Sequence, residues 1–243
     1  MSRLRRVGTH LALWLKLVLL AVVLFQLVIV CRVVMLRWVD PASTSFQRSQ
    51  IWQLVRDKPF GFEWRQQWVR MDRISPELAR AVIASEDDLF VQHPGVRWDT
   101  IEQAWRRNER AQSRSKNPER SKVVGGSTIT QQLAKNLVLS GERNLFRKSQ
   151  ELLITYALEL TLDKRRILEL YLNSVEWGRG TFGAQAAAMK HFGVSAKQLD
   201  RMQAAQLAVL LPRPRHYERF LQGPYVSERS LVLITRMPLV QIP

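Results

Sequence analysis

Residues 147–173, with the sequence RKSQELLITYALELTLDKRRILELYLN, form two consecutive helical patterns. In each pattern apolar residues recur at the spacing of a helix with one buried face, near 147–162 and near 163–173. Further helical patterns occur on both sides of this stretch, near 127–139, 183–192 and 196–211. The chain contains no alternating strand pattern of any length and no internal repeat. The sequence therefore predicts a mainly α domain.

The first helix of this domain is predicted to begin at Ser75. Ser75 suits the N-cap and Pro76 the first helical position, and the apolar residues Leu78, Val82 and Ile83 follow at helical spacing.

A second helix is predicted further along, through Trp105. Asp99 with Glu102 three residues later forms a capping pair that opens it. Residues 106–124, RRNERAQSRSKNPERSKVV, are almost all polar and rich in arginine and lysine. That composition predicts a mobile basic loop after the helix.

Length and charge limit the functions open to the chain. Its 243 residues leave room for one membrane segment and one domain of roughly 200 residues. Lysine and arginine number 37 against 21 acidic residues, a net charge of +16. This balance predicts an anionic partner: nucleic acid, anionic lipid or a phosphorylated small molecule. The only cysteine, Cys31, excludes a disulfide framework and a thiolate metal site.

The segment from Leu11 to Cys31 is apolar except for Lys16 and Gln26. At about 1.5 Å per residue such a helix just crosses a hydrocarbon core of about 30 Å. Three basic residues precede it, and by the positive-inside tendency they keep the N-terminus cytoplasmic: Arg3, Arg5 and Arg6. A cleaved signal peptide is the alternative, but the apolar run is long and no small-x-small cleavage site follows it before Arg32.

These observations divide the chain into four parts. We expect a cytoplasmic tail over 1–10, a transmembrane anchor over 11–36, a membrane-proximal segment over 37–74 and the α domain over 75–243. The membrane-proximal segment mixes aromatic residues with charges, which suits a bilayer interface or the core of a small subdomain equally well.

Glu86 is the first candidate for chemistry. If the helix continues through AVIASEDDLFVQHPG, residues 81–95, the carboxylate of Glu86 lies among apolar residues one turn before and one turn after it. Burial and the neighbouring Asp87 and Asp88 would then raise its pKa toward the range of a general acid or base. The alternative is a helix-end glutamate that reaches solvent.

The segment GGSTITQQLAKN, residues 125–136, predicts a polar helix face. Its two glycines, a capping Ser127 or Thr128 and the free N–H groups of the new helix predict an anion site. A buried apolar stripe would leave four side chains to project elsewhere, toward sugar hydroxyls and phosphate oxygens: Thr128, Gln131, Gln132 and Lys135. A solvated surface face is the alternative.

Arg147 and Lys148 precede Glu151 by four and three residues, so the two cations keep Glu151 ionised and are oriented by it. Lys164, Arg165 and Arg166 lie in a first helical turn, where the helix dipole disfavours cations, which fits an anion bound nearby. Solvation of at least one of them is the alternative.

Three further patterns carry no chemistry. GRGTFG, residues 178–183, matches a dinucleotide fingerprint but follows a helical pattern, so it predicts a turn with close backbone approach. SRSK, residues 113–116, matches a transpeptidase motif by chance. The histidines lack metal-ligand spacing, and His93 is expected to pack or to form hydrogen bonds.

Taken in order, four segments resemble the successive signature motifs of glycosyltransferase family 51. They are EDDLFVQHPG (86–95), GGSTITQQLAKN (125–136), RKSQE (147–151) and KRRILELYLN (164–173). A fifth, WGRGTFGAQAAAMKHFG (177–193), is similar to a stretch of the monofunctional biosynthetic subgroup of peptidoglycan glycosyltransferases.

The resemblance implies a lysozyme-like α fold and an inverting enzyme that joins lipid II into β-1,4-linked strands and releases undecaprenyl diphosphate. It implies that Glu86 is the general base and Glu151 the second acidic residue. It also implies substrate and diphosphate contacts at Asp87, Ser127, Thr128, Gln131, Gln132, Lys135, Asn136, Arg147 and Lys148.

The implied surroundings follow from that activity. The partners are lipid II, the growing glycan strand, membrane lipids and cell-wall synthesis or division proteins, and not nucleic acid. The enzyme would lie on the outer face of the cytoplasmic (inner) membrane. No cofactor is required, although Mg²⁺ or Mn²⁺ could assist at the substrate diphosphate without an evident set of protein ligands.

The chain departs from the family pattern at a few positions. Arg179 stands in place of asparagine, Gln185 and Gln203 stand in place of glutamate, and Pro94 lies between His93 and Gly95. Two other functions compete: a lysozyme-like hydrolase or lytic transglycosylase, which has no need of RKSQE, and a non-enzymatic binder of anionic polymers, which leaves Glu86 unexplained.

Overall fold

The computed structural model describes residues 2–57, 63–114, 126–138 and 145–243. Helices dominate these ranges, which confirms the prediction of a mainly α chain. The earlier helices are α1 (Ser2–Met35), α2 (Ser45–Asp57), α3 (Pro76–Glu86), α4 (Trp98–Arg114) and α5 (Ile129–Val138). The later ones are α6 (Leu145–Thr161), α7 (Lys164–Ser174), α8 (Ala184–Phe192), α9 (Arg201–Leu210), α10 (Pro214–Tyr217) and α11 (Pro224–Arg236).

Helix α3 is the centre of the core, because it packs against both α9 and α11. It begins as predicted: the Ser75 side chain accepts a hydrogen bond from the Glu77 backbone N–H, and Pro76 is the first helical residue. Its apolar residues Leu78, Val82 and Ile83 are completely buried. Burial of each such side chain contributes about 1.5–3 kcal/mol to the free energy of folding. Helix α5 packs in turn against α6 and α7, which joins the motif-bearing helices to this core.

Helix α4 corrects two predictions. It begins at Trp98, so Asp99 lies inside the first turn. The Asp99 carboxylate accepts a hydrogen bond from the Arg97 side chain rather than capping the helix. It also continues through Arg114, where a loop was expected. Arginine, glutamate and glutamine all favour helices, and an ion pair one turn apart, Glu102 with Arg106 at 2.6 Å, adds to this preference. The rest of the predicted mobile loop, 115–124, lies outside the described residues.

A small sheet accompanies the helices, formed by β1 (Arg65–Gln66), β2 (Glu176–Gly178) and β3 (Thr181–Phe182). Strand β3 is central, parallel to β1 and antiparallel to β2. Strands of two or three residues are too short to give an alternating pattern. The turn between β2 and β3 contains Gly180 at φ +66°, where a Cβ would lie 2.1 Å from the Glu63 carbonyl oxygen. The turn with close backbone approach predicted for 178–183 is therefore confirmed.

The anchor helix α1 ends at Met35, and its apolar portion from His10 to Met35 is long enough to cross a membrane. Most large apolar residues of this portion are exposed, but Ile29 and Val33 are buried in the main core cluster. Helix α1 also lies against α6. The anchor and the helical domain are thus packed together at the end of the membrane segment.

The membrane-proximal segment contains both buried residues that pack in the core and an exposed aromatic residue that suits a bilayer interface. Leu54 is buried, and the rings of Phe46 and Trp64 pack against Phe182 of the sheet. These contacts favour the interpretation of core packing for that part of the segment. Trp52, in contrast, is 77% exposed on α2 and remains available to a bilayer interface.

Candidate active site

Glu86 is the last residue of α3. The helix does not continue through 81–95 as assumed, because Asp87 adopts φ −163° and ends it. Glu86 is half-buried, and its Oε2 accepts a hydrogen bond of 2.9 Å from the Gln132 side-chain amide. Of the apolar neighbours expected after it, Phe90 is fully buried while Leu89 is 40% exposed.

The pKa of Glu86 is raised above its ordinary value. The main cause is burial, which disfavours the charged carboxylate, and the negative charge of Asp87 adds to it. Hydrogen bonds from Gln132 and Ser85 and the positive charge of Lys135 act in the opposite direction. A carboxylate with a raised pKa binds a proton more readily, as a general base must.

Gln132 is held in one orientation by Tyr171. The Tyr171 hydroxyl donates to the amide oxygen of Gln132 at 2.9 Å, so the amide nitrogen points to Glu86. Tyr171 is completely buried, and burial followed by the charges of Glu86 and Asp87 raises its pKa well above the ordinary value. The hydroxyl therefore stays protonated and remains a donor. Tyr171 was not among the residues predicted from the sequence.

The carboxylate of Asp87 occupies the N-terminus of α5. Its Oδ2 accepts from the Ile129 backbone N–H at 3.1 Å, and both oxygens lie within 3.0 Å of His93 Nε2. The backbone N–H of Gly95 donates to His93 Nδ1, so the ring proton is on Nε2 and is donated to Asp87. The expectation that His93 forms hydrogen bonds is confirmed. Asp87 occupies part of the predicted anion site at this helix N-terminus, because it accepts the Ile129 N–H.

Thr128 and Gln131 do not project from α5 as predicted. They form a reciprocal capping box, in which the Thr128 N–H donates to Gln131 Oε1 at 3.0 Å and the Gln131 N–H donates to Thr128 Oγ1 at 3.2 Å. Both side chains are buried, and the Thr128 hydroxyl also donates to the Gly95 carbonyl. Ser127, just before them, is exposed.

Lys135 and Asn136 follow Gln132 on α5. Lys135 is exposed and lies close enough to Glu86 for its charge to lower the pKa of that carboxyl. Asn136 is buried one turn after Gln132. The structure thus brings Glu86, Gln132 and Lys135 together, as the resemblance implied.

Glu151 is buried on α6 between two cations. Arg147 donates to it at 3.2 Å and Lys148 at 2.5 Å, one turn earlier on the same helix. Only 4% of the Glu151 side chain is exposed. A buried carboxylate costs free energy unless it is paired, so the pairing fixes the positions of both cations. Helix α6, which carries this cluster, packs against α5, which carries Lys135.

The positions that depart from the family pattern have local roles. Gln185 accepts the Ala196 backbone N–H at 2.9 Å, and Gln203 completes a capping box with Asp200 at the start of α9. Arg179 pairs with Asp57 at 3.0 Å. None of these contacts involves Glu86, Lys135 or Glu151.

Comparison with known proteins identifies the family. The family model described as Transglycosylase matches residues 56–238. The chain is 47% identical over 226 residues to the biosynthetic peptidoglycan transglycosylase of Bordetella pertussis, covering 93% of this chain and 91% of that protein. It is 46% identical over 242 residues to the protein of the same name in Bordetella avium, covering 100% of this chain and 97% of that protein.

A relative from Herminiimonas arsenicoxydans, also called biosynthetic peptidoglycan transglycosylase, is 49% identical over 209 residues. That alignment covers 85% of this chain and 86% of the relative. The region matched by the family model includes every candidate site residue, both those on α3, α5 and α6 and those just outside these helices, Asp87, Ser127 and Thr128. The chain belongs to the transglycosylase family, whose domain is a lysozyme-like α fold.

Proposed function

We propose that this chain is a membrane-anchored peptidoglycan glycosyltransferase that polymerises lipid II into glycan strands. Membership of the transglycosylase family and the names of its relatives support strand polymerisation in cell-wall synthesis. The observation that carries the mechanism is the half-buried carboxylate of Glu86, with a raised pKa, beside the exposed cation Lys135.

In the proposed reaction, Glu86 takes the proton from the 4-hydroxyl of an acceptor N-acetylglucosamine. The acceptor oxygen forms a bond to the anomeric carbon of the donor N-acetylmuramic acid. The bond from that carbon to the diphosphate oxygen breaks, and its electron pair leaves with undecaprenyl diphosphate. Attack from the face opposite the leaving group inverts the anomeric carbon and gives a β-1,4 link.

The departing diphosphate needs fixed positive charge, because negative charge develops on its bridging oxygen. We assign that role to Lys135, Arg147 and Lys148, with Glu151 holding the last two in place. Ser127, Gln132 and Asn136 supply polar contacts to the sugars and phosphates. Asp87, Thr128 and Gln131 support the site from inside, since their described hydrogen bonds hold the start of α5.

A divalent cation is proposed only as a companion of the substrate. The part of the chain that the structure describes has no group of three or more His, Cys, Asp or Glu side chains able to hold a metal ion. Mg²⁺ or Mn²⁺ would then be carried mainly by the diphosphate oxygens, and no step above depends on it.

The proposed location is the outer face of the cytoplasmic membrane. One apolar helix near the N-terminus supports a single-pass anchor. Basic residues before this helix favour a cytoplasmic N-terminus, which would place the helical domain where lipid II is exposed for polymerisation. We propose the growing strand, membrane lipids and cell-wall synthesis or division proteins as partners there.

The direct test is incubation of the purified, detergent-solubilised chain with labelled lipid II. Long glycan strands are expected from the native chain, and none from Glu86→Gln. Cleavage of finished glycan without polymerisation would instead identify a hydrolase. Near-full activity of Glu86→Gln would remove Glu86 from the role of base.

A further inference from the structure

One cleft lies at the junction of the anchor and the helical domain, and Glu86 is not among the residues that line it. Its volume is about 720 Å³. Its lining comes mainly from the residues just after α1, the end of α6 and the first half of α7, and it includes four arginines: Arg37, Arg70, Arg165 and Arg166.

The acidic residues of this cleft are engaged within the fold. Arg166 pairs with Asp40 at 2.7 Å and also with Glu169. Glu169 accepts the Met71 backbone N–H as well, at 2.7 Å. Asp163 caps α7 through the Arg166 backbone N–H. Asp40 and Glu169 therefore share one cation, Arg166, while Asp163 keeps its negative charge beside the cleft.

Three further arginines surround the cleft, and all are exposed: Arg37, Arg70 and Arg165. Arg70 has only a long contact of 3.7 Å with the exposed Asp72. Arg37 lies over the ring of Trp38. Among the contacts of the described residues, Arg165 forms no ion pair or hydrogen bond. The lining of the cleft thus has four arginines against three carboxylates, which leaves a net charge of +1.

The cleft also lies beside the end of the anchor helix. The anchor helix ends at Met35, only two residues before Arg37. Trp38 is 71% exposed and Leu160 is 86% exposed. Two exposed apolar side chains therefore flank the arginines of the cleft. Tryptophan and arginine next to a membrane segment are typical of the headgroup layer.

We propose that this cleft binds the headgroup of an anionic phospholipid, such as phosphatidylglycerol. The phosphodiester would lie among Arg37, Arg70 and Arg165, and the acyl chains would run past Leu160 along the anchor. The inference depends on the anchor being in a membrane. It does not depend on the direction of the anchor or on the proposed reaction.

The test uses the full chain in micelles of a neutral detergent, titrated with phosphatidylglycerol or phosphatidylcholine and followed by native mass spectrometry. The double variant R70Q/R165Q is compared with R107Q/R219Q, which removes two exposed arginines elsewhere. Each basic residue near an anionic headgroup contributes about fivefold to affinity. We therefore expect R70Q/R165Q to bind phosphatidylglycerol roughly 25-fold more weakly than the native chain. The control variant R107Q/R219Q should bind phosphatidylglycerol as tightly as the native chain, and neither double variant should change the binding of phosphatidylcholine.

Equal phosphatidylglycerol affinity of the two double variants would overturn the proposal. So would displacement of phosphatidylglycerol, one for one, by undecaprenyl diphosphate, which would assign the cleft to a lipid-linked diphosphate. Strand synthesis is measured on the same samples. Its failure in the native chain would count against the proposed reaction and leave the lipid result standing. An unchanged melting temperature establishes that the variants are folded. The single variant R37Q tests the third arginine in the same titration, and we expect it to bind phosphatidylglycerol about fivefold more weakly.

Discussion

The carboxyl of Glu86 is more easily protonated in the folded chain than in the unfolded one, because burial raises its pKa. A group of this kind supports the folded state below its unfolded pKa. The contribution is lost as the pH rises through the folded-state pKa. At neutral pH, ionised Glu86 therefore destabilises the fold, as is common for groups placed for reactivity rather than for stability.

We predict that Glu86→Gln abolishes strand synthesis and raises the melting temperature at neutral pH. The new amide oxygen can still accept the hydrogen bond from Gln132, while the charge is gone. The gain should be larger at pH 7.5 than at about pH 4.5, near the reference pKa of a glutamate. Differential scanning calorimetry of both proteins at both pH values measures it. A variant that is less stable than the native chain at pH 7.5 would contradict the explanation.

Tyr171 contacts Gln132, which in turn contacts the proposed base Glu86. Tyr171→Phe keeps the buried ring but removes the donor to Gln132 Oε1, at a cost of about 0.5–1.5 kcal/mol in stability. Gln132 can then turn its amide away from Glu86, which loses a hydrogen bond that lowers its pKa. We predict a lower kcat with a smaller change in KM, and an acid limb of the rate profile moved to higher pH.

The matched control for that variant is Tyr156→Phe, since Tyr156 lies 38% exposed on α6. Its pH–rate profile should coincide with that of the native chain. If the two phenylalanine variants have the same profile, Tyr171 has only a packing role.

At the scale of elements, the start of α5 explains both what the sequence predicted and what it did not. Apolar residues at helical spacing made Glu86 a candidate, and the family resemblance implied its role as base. The contact of Gln132 with Tyr171 spans 39 residues, and no local pattern in either helix indicates it. The helix N-terminus was correctly recognised as favourable for an anion. Sequence spacing does not indicate that Asp87, 42 residues earlier, supplies that anion.

This arrangement predicts that Asp87→Asn loosens the start of α5. The substitution removes negative charge from a helix N-terminus and weakens the bond with His93, so we expect a loss of about 1–3 kcal/mol. Asp88→Asn is the matched control, because Asp88 is exposed and pairs only with Arg97 among its described contacts. Its loss should be at most about 1 kcal/mol. Urea denaturation measures both, and equal losses would show that position 87 has no special role.

At the scale of the whole molecule, the anchor is part of the fold rather than a loose tether. The sequence predicted a membrane helix from its apolar length, and a separate domain beginning at Ser75. Length and hydrophobicity do not reveal that Ile29 and Val33 pack into the core, since these residues look like the rest of the membrane segment. Sequence patterns also do not indicate that Arg166, rather than Lys164 or Arg165, contacts the carbonyls after the anchor helix.

Arg166 fixes the end of the anchor against α7. Its guanidinium donates to the Leu36 carbonyl at 2.8 Å and to the Val39 carbonyl at 3.3 Å, and it also pairs with Asp40. These carbonyls lie just after the end of α1, close to where the helix dipole favours a cation. The orientation of the helical domain relative to the bilayer should therefore depend on this one side chain.

We predict that Arg166→Ala releases the anchor from the domain without unfolding either, since Glu169 still accepts the Met71 N–H. Spin labels on the exposed Cys31 and on Gln222→Cys report the distance between anchor and domain by pulsed electron paramagnetic resonance. The native pair should give one narrow distribution, and Arg166→Ala a broad one. Arg165→Ala, the adjacent exposed arginine, should keep the narrow distribution. A distribution that stays narrow in Arg166→Ala would mean that packing of Ile29 and Val33 alone sets the angle at which the domain meets the membrane.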